Sequence, residues 1–571
     1  MFKILIIILC FCLAACSPNS TDANARDIPQ LVQSILSEPK TFNPVLSVES
    51  PNIFPLTFEG LVRENPITAE IEPTLAESWE LSPDKLELIF TLRQGLQWSD
   101  GHPLTAADVV FSYNQLYLNS DIPSSARDTL TIGREQTLPT VSQLDDLRVK
   151  FSIAEPFAPF LAATSLAILP EHIIAPILQD KNAFMSFWGI DTPSTELVVN
   201  GPYQLDSYTT SQRITFKRNP YYWKRQVTGL DIPYLERVIW QIVESTDTAV
   251  LQFRSGQLDS LAISPEYFSL LKKEEKRGNF TIYNGGPAYG TTFITFNLNQ
   301  GSRGGIPLVD PIKSEWFNNV NFRKAIAYSI DRERIINNIY RGIGSLQNSP
   351  ISTQSPFYKQ ELTGYEYNSQ KAKELLLEAG FKYNQNQELL DHNNNRVKFT
   401  LITNAGNRIR EAMGAQIKED LRLIGIQVDF SPIAFNVLVD QLSNSFKWDC
   451  VLLGLGGGNE PNFGANVWFP DGNLHFFNQL PRGDAQPIEG RIVTDWEEKI
   501  GNLYIEGARE LELEKRKVIY GETQAIAQDY LPFIYLVNPL SLTAVRNRFT
   551  PIEYSALDGA FWNIEEIKLQ K

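Results

Sequence analysis

The sequence predicts an α/β protein of more than one lobe, and three observations carry that reading. First, helical stripes close on a glycine and give way to alternating strands. Ile409, Met413, Ile417, Leu421 and Ile424 recur at helical spacing, Gly425 stops them, and Ile426 to Phe430 continues with period two. Second, other segments alternate cleanly: Leu86, Leu88, Phe90 and Leu92 fall on one face of a strand, as do Leu147, Val149, Phe151 and Ile153. Third, 571 residues exceed one compact core, yet the 34 prolines and 34 glycines are scattered rather than gathered into a linker. Lobes without a linker imply that the chain crosses between them and returns.

Local signals place the remaining elements. Ala372, Leu375, Leu376 and Ala379 form a helical stripe behind Asn368 and Ser369, with Gly380 as its stop. Ser99-Asp100-Gly101 reads as a turn that uses left-handed backbone. Thr105 to Asp108, directly before Val109-Val110-Phe111, has the form of a capping box in which Thr105 caps the helix and Asp108 reaches back.

Composition narrows the function. Hydrophobic residues at 43% and charged residues at 20% exclude a disordered chain. Lys+Arg 51 against Asp+Glu 66 leaves a net charge of −15, which argues against a nucleic-acid binder held by phosphate contacts. The first residues, MFKILIIILCFCLAAC, join Lys3 to an apolar run from Ile4 to Ala15, which is too short to span a bilayer but fits a signal-peptide core. Leu13-Ala14-Ala15-Cys16 resembles the lipobox of bacterial lipoproteins, which implies a lipid on Cys16. The alternative is an ordinary secretory signal in which that cysteine is incidental. Residues 17–27 then read as a flexible tether. Three of the four cysteines lie in the leader, so the body has no disulfide framework, and Cys450 reads as a small buried hydrophobe.

Longer motifs point to a family. The run from Pro73 to Glu80, then Phe90 to Gly95, then Trp98 to Ser112, is the most specific stretch. Asn200-Gly201-Pro202-Tyr203, Arg218 to Trp223, Ser255 to Asp259, Phe322 to Arg332 and Lys371 to Phe381 follow in order. Together they resemble the extracytoplasmic solute-binding proteins of peptide- and nickel-type ABC importers, family 5, over nearly the whole mature chain. The resemblance implies a two-lobed periplasmic-binding-protein (Venus flytrap) fold with hinge strands and an extra subdomain on the first lobe. On that template lobe I takes residues 28–60, 190–287 and 530–571, the subdomain 61–189, and lobe II 288–529. Gly285 to Gly290 is then a first hinge and Leu531 to Pro539 the return crossing. Arg93, Trp98, Asp100 and Asp108 are expected to hold the scaffold.

By the same resemblance, an oligopeptide is held between the lobes and passed to a membrane permease by a monomeric receptor that needs no cofactor or metal. Other solutes of this class are a chelated metal, an oligosaccharide or an opine. Peptide-binding relatives pair the ligand amine with a carboxylate in a lobe II loop. Here that loop reads Gly454 to Phe463, and Gly457 and Gly458 stand where the aspartate is expected. Glu460 is the substitute candidate. Trp448, Phe463 and Trp468 flank the loop as candidate cleft walls, with core packing the alternative for the tryptophans. Glu38 and Asn43, in the segment Ser37 to Pro44, are the lobe I candidates. The glycines also suggest a phosphate loop, but no Lys-Ser/Thr follows and the dinucleotide spacing fails.

Catalysis has little support. The four histidines, His102, His172, His392 and His475, lack the spacing of a zinc helix, and no Gly-x-Ser-x-Gly elbow occurs. A carboxylate pair acting on a glycosidic bond, in an exported hydrolase, is left open by the sequence.

Overall fold

The computed structural model describes residues 28–47, 51–124, 126–481 and 486–570. Cys16, the signal segment and the tether lie outside the described residues. The predicted local elements form as their sequences dictate. The helix Arg408–Arg422 is capped by Asn407, whose side chain accepts from Arg410 N–H, and buries Met413, Ile417 and Leu421. Gly425 leaves it at φ +80°, and the strand Gln427–Ile433 follows. The helix Ser369–Glu378 is capped by Asn368 and ends before Gly380 at φ +88°. Cys450 is fully buried, and burial pushes its thiol far above the ordinary range, away from nucleophilic chemistry.

The first lobe is built on two sheets that share one hydrophobic core. One sheet orders Gln30–Ile35, Arg237–Ile242, Arg213–Arg218 and Tyr203–Thr209; the first pair is parallel and the rest antiparallel. The other is an antiparallel sheet of Ala76–Leu81, Glu87–Leu92, Arg148–Ser152 and Thr140–Gln143. Phe90 and Phe151 of the second, with Tyr113 of the helical segment Ser112–Tyr117, pack edge to face inside a cluster that also contains Leu31, Phe216 and Val238 of the first. The extra segment is therefore continuous with its lobe. The capping box forms as its sequence suggests: Thr105 N–H donates to Asp108 Oδ2 at 2.9 Å, and Asp108 Oδ1 accepts from Glu171 N–H at 3.0 Å. Burial raises the Asp108 carboxyl above its usual range, so these bonds are what hold it in place. Asp108→Ala should lower stability by about 2 kcal/mol, read as a fall in the thermal midpoint.

The second lobe centres on a five-stranded sheet in the order Gln427–Ile433, Lys398–Asn404, Cys450–Leu455, Thr291–Phe296 and Ile534–Tyr535. A further antiparallel sheet has Val537–Arg546 between Ser260–Ala262 and Phe280–Pro287; it packs on Val32 and Val243 of the first lobe, and the start of Val537–Arg546 pairs with Gly344–Leu346. The two predicted crossings thus run side by side. Ala288 N–H donates to the Pro539 carbonyl, Leu536 N–H donates to the Thr292 carbonyl, and Asn538 Nδ2 donates to the Ala288 carbonyl, at 2.9, 2.9 and 2.8 Å. Gly286 takes φ +84° at the bend, a conformation that costs glycine little.

Candidate functional site

The site grows out of one strand end. Cys450–Leu455 runs through the middle of the second-lobe sheet and stops against the first crossing. Past it, Gly456, Gly457 and Gly458 make no backbone hydrogen bond among the described residues. The chain then turns into a 3-10 segment, Pro461–Val467, capped by Glu460 Oε1 accepting from Asn462 N–H at 3.0 Å. This glycine run, the two crossings and Ile351 with Ser352 enclose a cavity of about 310 Å³. Its walls are strongly aromatic: Tyr289, Phe293, Trp468, Tyr504, Phe533 and Tyr535 all face it. Trp468 stacks on Tyr504 with ring planes 17° apart, and Phe533 meets Trp468 edge to face. These rings lock one another, so the cavity is stiff before any ligand enters.

Tight backbone packing explains one glycine and not its neighbour. A Cβ on Gly457 would lie 2.0 Å from the Tyr289 carbonyl oxygen, whereas one on Gly458 would meet no atom within 4 Å. Gly457 is required because the loop runs against the hinge. Gly458 leaves room beside the cavity.

The charge in the site is largely self-neutralised. Glu460 lines the cavity, but both its oxygens accept from Arg516 Nη2, at 2.7 and 2.8 Å, with both side chains under one-tenth exposed. Arg516 also donates from Nε to the Gly507 carbonyl at 2.8 Å and lies over the Phe357 ring. Burial works against its charge, and the Glu460 carboxylate more than compensates, raising the guanidinium above its ordinary value. The oxygens expected to face a ligand amine are thus committed within the protein. Beside them, Asn459 Nδ2 donates to Glu64 of the first lobe, and the Asn459 carbonyl accepts from Ser355 Oγ at 2.9 Å. Burial lifts the Glu64 carboxyl, partly offset by that bond. The Tyr289 hydroxyl is raised by burial first and by Glu64 and Asp558 second.

The structure brings Gly457, Gly458, Glu460, Phe463 and Trp468 around one cavity. It leaves three candidates outside the lining. Trp448 is buried in the second-lobe core at the far end of the Cys450–Leu455 strand. Asn43 is buried in the first lobe, accepting from Val45 N–H and donating to the Phe187 carbonyl. Glu38 accepts from Tyr208 Oη at 2.8 Å and Ser211 N–H at 2.5 Å, bonds that hold its carboxyl below the usual range. Sequence reasoning missed Tyr289, Phe533 and Tyr535, although both crossings that carry them were visible as hinges. Among the described residues no group of three or more His, Cys, Asp or Glu side chains is placed to hold a metal. His475, fully buried, is tied to Glu497 at 3.0 Å and so serves the core.

Comparison with known proteins decides the family. The model for bacterial extracellular solute-binding proteins, family 5, matches residues 70–474. The chain belongs to that family. A probable ABC transporter-binding protein of Deinococcus radiodurans is 31% identical across 88% of this chain and 85% of its own length. The oligopeptide-binding protein AppA of Bacillus subtilis is 27% identical across 79% of this chain and 78% of its own. Among solved structures, NikA from Brucella suis in complex with Fe(III)-EDTA superposes with a TM-score of 0.76, covering 95% of this chain and all of that one at 19% identity. The two-lobed fold with hinge strands is therefore the family's. Among the described residues, no helix is long and apolar enough to cross a membrane.

Proposed function

We propose that this chain is the extracytoplasmic receptor of an ABC importer, and that it captures an oligopeptide between its lobes and hands it to a membrane permease. The observation that carries this is the backbone of Gly456, Gly457 and Gly458, without a hydrogen-bond partner among the described residues, on the wall of the cavity where the second lobe meets the two crossings. An extended peptide satisfies such groups by adding main-chain bonds along the strand end, which ignores side-chain identity. The relatives named as ABC transporter-binding and oligopeptide-binding proteins support the same reading. Closing both lobes on the ligand supplies the differential affinity that shifts open forms to closed. In this reading the receptor works as a monomer, is held at the membrane by lipid on Cys16 and carries out no reaction; among the described residues Glu460 is the one Asp or Glu lining the cavity, and Arg516 pairs with it.

A second reading, a receptor for a non-peptide solute, draws on the same Arg516–Glu460 pair, because among the described residues no free carboxylate lines the cavity to meet a peptide amine. A native mass spectrum of protein purified from its own cells separates the two. Peptide masses retained in stoichiometric amount are the expected result. A single defined non-peptide mass would replace the peptide reading with the second, and turnover of added peptide would end the receptor reading altogether.

A further inference from the structure

We infer that a second cavity beside the first continues the ligand site, with Phe463 as the divider, so that the two together accept an extended peptide longer than the first cavity holds; this rests on the oligopeptide reading above. The second cavity measures about 400 Å³ and lies between the first-lobe segment 128–136, which begins at the end of the helix Ala126–Leu130, and the second-lobe helix Asp495–Arg509. The 3-10 segment Pro461–Val467 is the wall between the two. Gly464, Val467 and Trp468 face the first cavity, Asn462, Ala465 and Asn466 face the second, and Phe463 borders both. Phe463 is 41% exposed, and the adjoining Gly464 has open space where a Cβ would stand. Because Phe463 belongs to both linings, a chain that fills both cavities passes over its ring.

The two cavities differ in chemistry in the way an extended peptide requires. The first is aromatic and offers no unpaired charge. The second adds Arg134, Asp471 and Glu498 with the amides of Asn466 and Asn502, so the charged end of a chain finds its partners there. Its two walls are bridged by Arg134 Nη2 donating to Asn502 Oδ1 at 2.9 Å, Gln136 Nε2 donating to Asp471 Oδ2 at 3.4 Å, the Arg509–Glu155 ion pair, and Ala158 N–H donating to the Ala508 carbonyl at 2.7 Å. Each cavity alone is near the bottom of the roughly 300–1,000 Å³ that ligand pockets occupy, and an extended chain advances about 3.3 Å per residue, so a longer peptide outruns the first.

The test fills the second cavity from opposite walls with Asn502→Trp and Thr131→Trp and measures binding by calorimetry for one repeated peptide sequence, from dipeptide to nonapeptide. The expected result is a loss of affinity that grows with length, about tenfold or more for the nonapeptide and little for the dipeptide, in both variants. Equal losses at every length, or none at any, would overturn the second cavity while leaving the peptide reading in place. A wild-type protein that binds no peptide of any length would overturn both. Using two walls guards against local damage, since a folding defect in one variant leaves the other to decide.

Discussion

Gly457→Ala should remove most ligand affinity and cost about 1–3 kcal/mol of stability, while Gly458→Ala one residue on should change stability by less than about 0.5 kcal/mol. The difference is steric. At Gly457 the added methyl carbon meets the Tyr289 carbonyl at 2.0 Å, and that atom is main chain within the first crossing. It cannot swing aside as a side chain would. Relief requires the glycine run to part from the hinge, which widens the cavity and disturbs the contacts around Tyr289. At Gly458 the methyl points into open space. Thermal unfolding and calorimetry on the two variants check this directly. Equal behaviour of the pair would show that the loop does not press on the crossing. The same contact explains why the aspartate expected in this loop is absent from position 457.

Glu460→Ala should lower stability by about 3–5 kcal/mol, because it strands the Arg516 guanidinium, 8% exposed, without its counter-charge. It also removes the acceptor that caps the Pro461–Val467 segment. The double variant Glu460→Gln with Arg516→Met, which withdraws both charges together, should recover most of that loss. A ligand anchor behaves in the opposite way: its removal leaves unfolding unchanged and takes affinity alone. Chemical denaturation of the single and double variants distinguishes the two, and an undiminished midpoint in Glu460→Ala would return Glu460 to the list of ligand contacts.

What could be read beforehand follows the range of the interactions. The helices Ser369–Glu378 and Arg408–Arg422 announce themselves because cap, stripe and stop all lie within a few turns. The crossings were visible as glycine-rich and proline-bounded segments. The cavity was only half visible, since its walls come from segments far apart in the chain: Tyr289 at one crossing meets Phe533 and Tyr535 at the other. Glu460 finds its partner 56 residues away, and nothing local signals Arg516. Trp448 misled for a geometric reason. It sits before a strand of 6 residues whose far end carries the loop, and such a strand is about 20 Å long. Nearness in sequence across a strand is distance in space. Glu38 and Asn43 are polar residues in a loop, but each is consumed by holding that loop to its own lobe.

The strand Val537–Arg546 lies between Ser260–Ala262 and Phe280–Pro287. Both neighbours are therefore bare edges until the last part of the chain has been made. At roughly 5–20 residues per second, a ribosome takes on the order of ten to fifty seconds to travel from one to the other. Through that interval the amino-terminal half holds two open strands, templates on which a stray chain can add. The nascent molecule has to be kept from settling early, and a chain cut short before Val537 would be a seed for aggregation rather than a smaller receptor.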